Sequence, residues 1–457
     1  MAEKIRTKIK KVLFYTHSPR AFRATLIGHL YEIAQIYPTI LLSEKLDAET
    51  ENALKDKDLF PQLQEIIPVR QYTGEKRGLF AKNRYFHALA NSAIQSYNPD
   101  ILITANDVYP FEIYLIRAAQ KAGALTIVIE PSLHSLNLRD IAWQVDRVNA
   151  YFRFPSFFPF ALRVGFVKIR KYAGYLLSSI ILPLLVGEVP RLKSSVILYS
   201  PSGFLADYSI CYSKEDYLLS LQEGVSLQKL SILRNPLWRE ATRKLFEKVY
   251  FFPARKFHSG NKKTLLLLFP FHRIGFRRED RSIIGEKELE ENNLTIVSLI
   301  AEILQDWNII IKMHPDDRRL DTGLRDKFQT ISRSIETPNP DDPIDRYIEI
   351  SDTIVALDEP STALFTASLQ CPDKRILTID LYKRWGGDFY KNFEGVEYID
   401  NKEKLIHVLE EIRGGIHQRN VQRNSKPLEN KEFSDTVEAL EYLFEQRNRE
   451  SRPSIPK

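Results

Sequence analysis

Two runs decide the fold: Asn308-Ile-Ile-Ile-Lys312-Met-His314-Pro315 and, further on, Thr353-Ile-Val-Ala-Leu-Asp358-Glu359-Pro360-Ser361-Thr362. Each is a short apolar strand that stops at a polar turn. The second continues into the helical stretch Ala363-Leu-Phe-Thr-Ala-Ser-Leu. In open α/β sheets, ligands bind at the carboxyl ends of the strands. Ser361 and Thr362 fall at the N-cap and first turn of the following helix, where backbone N–H groups and the helix dipole favour an anion. Lys312, His314 and this helix start, converging from neighbouring strands, make a phosphate site the central expectation.

The chain has 457 residues, more than one ordinary core accommodates, so two domains are expected. A hydrophobic content of 44% with 27% charged residues excludes the disordered and fibrous classes. The excess of 65 Lys and Arg over 59 Asp and Glu is too small to argue for nucleic acid, and no such partner is expected. Cys211 and Cys371, the only cysteines, fit a reducing compartment without a disulfide framework and cannot make a zinc site alone. The basic start Met1–Lys11 is followed by the short Val12-Leu-Phe-Tyr rather than a leader-like apolar run. The longest apolar segment, Ala173–Gly187, is broken by Ser178, Ser179 and Pro183 and is shorter than the roughly 20 residues a spanning helix needs. A cytoplasmic address is the expectation.

In chain order, strand, polar turn and helix recur. Lys11–Tyr15 is a strand, Thr16-His-Ser-Pro-Arg20 a turn, and Phe22–Ile36 an amphipathic helix, which opens a βαβ unit. Pro38–Leu42 and Ile66–Val69 follow as strands. Pro99–Ala105 is a strand, Asn106-Asp-Val-Tyr-Pro110 its turn, and after a helix through Lys121 comes Leu125–Ile129, ending in Glu130-Pro-Ser-Leu-His134. A strand is further expected at Ser194–Tyr199; the pattern Tyr208-Ser-Ile-Cys-Tyr-Ser213, a helix through Glu223 and the run Lys229-Leu-Ser-Ile-Leu-Arg-Asn-Pro236 close the first domain, followed by a helix at Trp238–Phe251. A second series begins at Thr264–Phe269, ending in Pro270-Phe-His272-Arg273. It continues through a helix at Leu294–Gln305, the opening strands, a strand at Arg375–Asp380, the stretch Glu397–Ile399, and helices at Lys402–Arg413 and Asp435–Arg447. These readings bound a first domain over 1–252, carrying a basic and apolar segment at 151–190, a second domain over 262–430, and a helix and tail over 431–457.

Lys312-Met-His314-Pro315, followed by the hydroxyl pair Ser361-Thr362 before a helix, resembles the second domain of GT-B glycosyltransferases that build bacterial surface polysaccharide. The motifs are similar to those of sialyl- and polysialyltransferases and of CDP-glycerol glycerophosphotransferases. The resemblance implies an α/β, GT-B-like fold: two doubly wound, Rossmann-like domains facing each other across a cleft, with a first domain for the acceptor and a second for the nucleotide-sugar donor. It also implies that His314, Ser361 and Thr362 hold the donor phosphate. A second resemblance is to non-hydrolysing UDP-N-acetylglucosamine 2-epimerases. Those share the fold and place an acid, a glutamate and a His-Arg where Asp107, Glu130 and His272-Arg273 stand here. The chain departs from that pattern elsewhere: Asn106-Asp107-Val108 stands for Gly-Asp-Thr, and Pro360-Ser-Thr-Ala for the Ser-Gly-Gly helix start.

Each candidate residue has a chemical and a plain reading. His314 beside a pyrophosphate stabilises the charge that develops as the nucleotide leaves; otherwise it caps a strand end. Lys312 joins it as a phosphate ligand. Asp107 or Glu130 serves as the general base on an acceptor hydroxyl, or caps a turn. His272 and Arg273 clamp a phosphate or an anionic acceptor, a task suited to the planar Arg fork. Glu359 contacts the nucleotide's ribose or base, or is a solvated turn acid. Thr16, His17 and Arg20, on the first βα loop, face an entering acceptor. No Gly-rich phosphate loop and no acidic metal motif occurs, so no metal and no cofactor is expected, the nucleotide sugar being a substrate.

The segment Arg163–Leu185 carries Arg163, Lys168, Arg170 and Lys171 ahead of its apolar run. It is either a peripheral patch on the inner face of the cell membrane or a helix buried in the first domain, and the aromatic run Tyr151–Phe160 before it favours the membrane. The functional expectation is a metal-independent glycosyltransferase of capsule-type polysaccharide biosynthesis. It would move a sugar, or a sugar or polyol phosphate, onto a surface glycan or lipid-linked acceptor. The alternatives are a nucleotide-sugar 2-epimerase and a non-catalytic membrane-associated scaffold of polysaccharide assembly.

Overall fold

The computed structural model describes residues 9–16, 22, 26–44, 46, 48–69, 79–107, 110–129, 146–147, 150, 158–176, 181, 184, 205–211, 217, 220–221, 225–233, 262–270, 275–277, 282–314, 317, 323–340, 342, 344–358, 361, 363–364, 367, 371, 373–384, 395–415 and 432–450. The chain divides into two compact units. Unit 1 takes Met1–Ser135, Lys168–Phe251 and Pro427–Lys457, and unit 2 takes Leu136–Val167 and Phe252–Lys426. The strand expected at 194–199 and the helix expected at 238–251 lie outside the described residues.

Unit 1 is built in chain order from β1 (Val12–Thr16), α1 (Ile27–Ala34), β2 (Thr39–Ser43), α2 (Ala48–Leu54), β3 (Leu63–Pro68), α3 (Leu79–Tyr97), β4 (Ile101–Thr104), α4 (Pro110–Lys121) and β5 (Leu125–Ile129). A helix whose residues are shared between the two units, α5 (Phe160–Leu176), precedes β6 (Tyr208–Cys211) and β7 (Leu230–Leu233). A late return of the chain adds the edge strand Glu432–Phe433 and the helix Thr436–Glu450. Spatial order across the sheet, with that edge strand first, is edge–β7–β6–β5–β4–β1–β2–β3, and every neighbouring pair is parallel. Parallel sheets are covered on both faces, so their strands must be apolar almost throughout. Val12–Tyr15, Ile101–Ile103 and Leu125–Ile129 meet that demand and are buried along their length. Alternation then divides the core: Phe14 packs with Leu26, Leu30, Leu440 and Leu443, while Leu13 and Tyr15 pack with Ile94 and Tyr114 on the other face.

Unit 2 comprises β8 (Thr264–Leu268), a short antiparallel ribbon of β9 (Gly275–Phe276) and β10 (Ile283–Ile284), α6 (Glu286–Ile303), β11 (Asn308–Lys312), α7 (Leu324–Ile331), β12 (Ile335–Glu336), α8 (Ile344–Ile350), β13 (Thr353–Leu357), β14 (Arg375–Ile379), β15 (Val396–Ile399) and α9 (Lys402–Arg413). Its sheet runs β12–β11–β8–β13–β14–β15, again all parallel. Leu265, Ile309, Ile311, Val355 and Leu357 form one core with Ile296 and Ile300 of α6 and Leu405 and Leu409 of α9. Asn401 caps α9, its side chain accepting the Lys404 N–H at 2.8 Å.

Four elements depart from the sequence reading. Helix α6 starts at Glu286, well before the expected Leu294, because its first turns are charged and show little apolar period. Glu286 and Glu288 sit in the first turn, where acids are favoured, and Leu289, Asn293, Ile296, Val297 and Ile300 line the buried face. The strands β12 and Glu432–Phe433 are too short to show as apolar runs. We label the last strand β16 and the last helix α10; β16 pairs Glu432 with Ile232 and Phe433 with Leu233. The last helix, read from sequence as part of a separate tail, packs against α1, with Ala439, Leu440 and Leu443 fully buried. Among the described residues no helix is long and apolar enough to cross a membrane.

Candidate functional site

Both sheets reverse strand order beside their first strand. In unit 1 the order runs outward from β1 to β2 and β3 on one side and to β4 and beyond on the other. In unit 2 it runs from β8 to β11 and β12 on one side and to β13, β14 and β15 on the other. The switch points therefore lie between β1 and β4 and between β8 and β13, where loops diverge and leave room for a ligand at the carboxyl ends. Thr16 ends β1 and Asp107 follows β4, so two of the expected site residues flank the first switch point. His314 follows β11 and Ser361 follows β13, the two strands on either side of β8. With neighbouring strands about 4.8 Å apart, those two strand ends are roughly 10 Å apart.

Asp107 is 2% exposed. Its Oδ2 accepts the Leu205 N–H at 2.6 Å, which fixes the carboxylate against the segment leading into β6. Its Oδ1 is buried and accepts no hydrogen bond among the described residues. A buried carboxylate oxygen without a donor is costly, of order 1–3 kcal/mol, unless a ligand or water supplies one. One half of the group is thus an anchor, as the turn-capping reading expects, and the other half is buried without a hydrogen bond among the described residues. Thr16 is buried at the end of β1, and its carbonyl accepts the Glu44 N–H. Glu130, His17 and Arg20 lie outside the described residues.

Unit 1 also holds an acidic cluster, around the end of β1, that sequence reasoning misses. The Tyr15 hydroxyl donates to Glu44 Oε1 at 2.9 Å, and its ring meets Phe111 edge-on with centroids 5.0 Å apart. Burial, with the nearby Glu112 and Glu44 charges adding to it, pushes the Tyr15 phenol far above its ordinary value of 10.0. A tyrosine inside an apolar strand looks like core, and only the glutamate directly after β2 hints at its partner. The unfolded chain ionises this phenol near pH 10 while the folded chain keeps it neutral. The resulting stabilisation is fully present below pH 10 and is lost as pH rises above it. Tyr15→Phe should therefore flatten the fall in stability between about pH 9 and pH 11. At neutral pH it should cost about 1 kcal/mol through the lost hydrogen bond to Glu44. Denaturant titrations at both ends of the range measure this.

In unit 2, His314 is exposed two residues beyond β11, and its carbonyl accepts the Asp317 N–H at 2.9 Å. Lys312 is buried, and its Nζ donates to the carbonyl oxygens of Pro340 at 2.5 Å and Met313 at 3.3 Å. Those contacts are structural: the ammonium ties the end of β11 to the chain beyond β12. Ser361 is half-buried; its Oγ accepts the Ala363 N–H at 3.2 Å and its carbonyl the Leu364 N–H at 3.0 Å. This is the N-cap geometry expected from sequence. Glu359, Thr362, His272 and Arg273 lie outside the described residues.

What holds the loop after β13 in place is a buried network. Asp358, directly after β13, adopts φ 51°, the left-handed region that Asp and Asn enter at a turn. Arg384 Nη1 donates to its Oδ2 at 2.9 Å and to its carbonyl oxygen at 3.0 Å. The Arg384 N–H donates to Asp380 Oδ1 at 2.8 Å, and the Tyr398 hydroxyl to Asp380 Oδ2 at 3.1 Å. The Arg384 side chain lies flat on Gly275, where a Cβ would come within 2.7 Å of Nε. Next to it the Arg277 guanidinium covers the Tyr382 ring at 5.2 Å and reaches Glu288 at 3.5 Å. Burial and the Glu288 charge push the Tyr382 phenol upward. Sequence reasoning misses Arg384, because a single arginine past a strand carries no local mark of a partner 26 positions earlier. Among the described residues no group of three or more His, Cys, Asp or Glu side chains is placed to hold a metal ion.

No family model matches this chain, and no curated protein matches it in sequence. Solved structures match along nearly its whole length. A UDP-GlcNAc 2-epimerase from Methanocaldococcus jannaschii aligns with a TM-score of 0.55 at 13% identity, covering 95% of this chain and 99% of that one. A candidate UDP-N-acetylglucosamine 2-epimerase from Listeria monocytogenes aligns at 0.55 and 14%, covering 97% of each. A UDP-GlcNAc 2-epimerase from Neisseria meningitidis, bound to UDP-GlcNAc, aligns at 0.51 and 10%, covering 96% of this chain and 98% of that one. At such identities the likeness concerns the fold alone: the chain is an α/β protein of GT-B-like fold, with a parallel, doubly wound sheet in each unit.

Proposed function

We propose that the chain is a nucleotide-sugar-dependent glycosyltransferase that moves a sugar, or a sugar or polyol phosphate, onto a surface polysaccharide or lipid-linked glycan. The observation that carries this reading is the oriented carboxylate of Asp107 at the first switch point, anchored through Oδ2 while its buried Oδ1 accepts no hydrogen bond among the described residues. An acceptor hydroxyl can donate to that oxygen. As it attacks the anomeric carbon, Asp107 takes its proton, and the glycosyl bond to the nucleotide phosphate breaks. Unit 2 serves the nucleotide: the Ser361 cap and the exposed His314 present donors to the leaving phosphate, whose charge rises in the transition state. Glu130 is the second candidate base, and His272, Arg273, Glu359 and Thr362 complete the proposed donor contacts. Lys312 ties the end of β11, which His314 follows, to Pro340.

A nucleotide-sugar 2-epimerase is the second reading. It is favoured by the names of the aligned structures and by the kinship in residue type of Asp107, Glu130 and His272-Arg273. The helix start Pro360-Ser361-Thr362-Ala363 speaks for transfer, because it lacks the glycines of the epimerase resemblance. Calorimetric titration with CMP, CDP, UDP and GDP should find one nucleotide that binds and whose affinity drops about tenfold or more in His314→Ala. Asp107→Asn retains an oxygen for the Leu205 N–H. It should keep nucleotide binding while turnover falls by about 10²–10⁴. Full turnover in Asp107→Asn removes the base assignment. Conversion of UDP-GlcNAc to its C2 epimer without any acceptor, followed by NMR, would replace transferase with epimerase.

A further inference from the structure

The helix α5 wears its apolar residues on the outside. Leu162 is 54% exposed, Phe166 42% and Ile169 64%, and Ala173 is exposed as well. Positions 162, 166, 169 and 173 are spaced by four, three and four, so at 100° per residue they fall in one stripe about 60° wide. Val167, on the far side of the helix, is buried. Exposed Arg170 and partly buried Arg163 flank one side of the stripe, and exposed Lys168 lies toward the opposite face of the helix. Further along the chain, Ile181 and Leu184 are also exposed.

The charge around the stripe has one sign. Between Asp146 and Glu188 the sequence contains Arg147, Arg153, Arg163, Lys168, Arg170 and Lys171 and no acid. The whole chain carries a formal net charge of +6, so this segment alone accounts for as much positive charge as the entire protein shows in balance. A narrow apolar ridge flanked by arginines, with a lysine on the face behind it, fits a surface that is apolar inside and anionic at its rim. An amphipathic helix lying in a lipid interface buries such a ridge a few ångströms below the headgroups and leaves its basic flanks among them. Each Lys or Arg near an anionic leaflet raises binding roughly fivefold.

We infer that α5 is a docking surface for a membrane leaflet containing anionic lipid. The inference rests on the helix's own exposure and charge and is independent of the proposed activity. The test is sedimentation of the full chain with vesicles of phosphatidylcholine alone and of phosphatidylcholine with about one-third phosphatidylglycerol. Wild type should sediment with the anionic vesicles and not with the neutral ones, and should be released at about 0.5 M salt, where screening shortens to roughly 4 Å. Leu162→Ser with Ile169→Ser, and separately Lys168→Gln with Arg170→Gln, should each lower the partition coefficient about tenfold or more. These residues are exposed, so melting temperature and nucleotide binding should stay at wild-type values. Failure of the folded wild type to sediment with anionic vesicles would overturn the inference. Undiminished binding by the Leu162/Ile169 variant would do the same. So would a dimer in solution that this variant dissociates, without vesicle binding, since a second copy would then be what covers the stripe.

Discussion

Arg384→Met is expected to destabilise unit 2 by about 3–5 kcal/mol, the usual consequence of removing one partner from a buried ion pair. Arg384 and Asp358 are both almost fully buried, and the guanidinium also donates to the Asp358 carbonyl and lies on Gly275. Without Arg384, buried Asp358 loses its cationic partner and its left-handed backbone loses the contact that pins it. Hydrogen exchange of amides in β13 and β14 should accelerate by about 10²–10³ or more, as the opening free energy falls. Asp358→Asn tolerates the same backbone and should cost less, and the double variant should cost less than the sum of the singles, since neither charge is then stranded. Because the loop that Asp358 begins carries Ser361, nucleotide binding should weaken in Arg384→Met even where the unit remains folded. A change below about 1 kcal/mol would mean that the pair behaves as a solvated surface bridge.

The second large effect concerns the end of the chain. Ending it before Glu432 should leave unit 1 unable to fold stably, although every strand of the first half of the sequence is still present. Leu440 and Leu443 are fully buried in the same core as Phe14 and Leu30, and each contributes about 1.5–3 kcal/mol by burial. Polar contacts tie the same helix to α1 and the residues just after it. The Thr436 hydroxyl shares a hydrogen bond with buried His29 Nδ1 at 2.9 Å, the Thr436 N–H donates to Glu32 at 2.9 Å, and Tyr37 donates to Glu441 at 2.6 Å. Asp435 accepts the Glu438 N–H while Glu438 accepts the Ser434 N–H, so the helix start is closed by its own side chains. Leu440→Ala alone should lower stability by about 2–5 kcal/mol. Denaturant unfolding of that variant, and expression of the shortened chain, check the two statements. A soluble, cooperatively folding chain without α10 would show that the first core is complete by itself.

Much of the candidate site's placement at strand ends is legible in the residues alone. Asp107, His314 and Ser361 stand out because a strand with both faces buried has to be apolar, so its end is marked by the first polar residues after it. The N-cap role of Ser361 is equally local, and the structure shows it. Lys312 is legible as a cation at a strand end, but its destination is not. Its ammonium reaches the carbonyl of Pro340, 28 positions on, and no spacing rule announces such a contact. Glu44 and Tyr15 escape notice for a similar reason, since a phenol in an apolar strand gives no sign that it faces a carboxylate.

By itself the sequence determined the two series of buried strands, the α/β class, and the polar strand ends where a ligand can bind. Those are set by hydrophobic period and turn chemistry, which act over a few residues. Only the tertiary structure decided which strands are neighbours and hence where each sheet reverses. It also decided that Arg384 holds Asp358, and that a helix more than 400 positions from its partners completes the first core. Contacts of that kind arise from the packing of whole faces, and a buried charge or helix takes whatever partner the assembled fold brings to it.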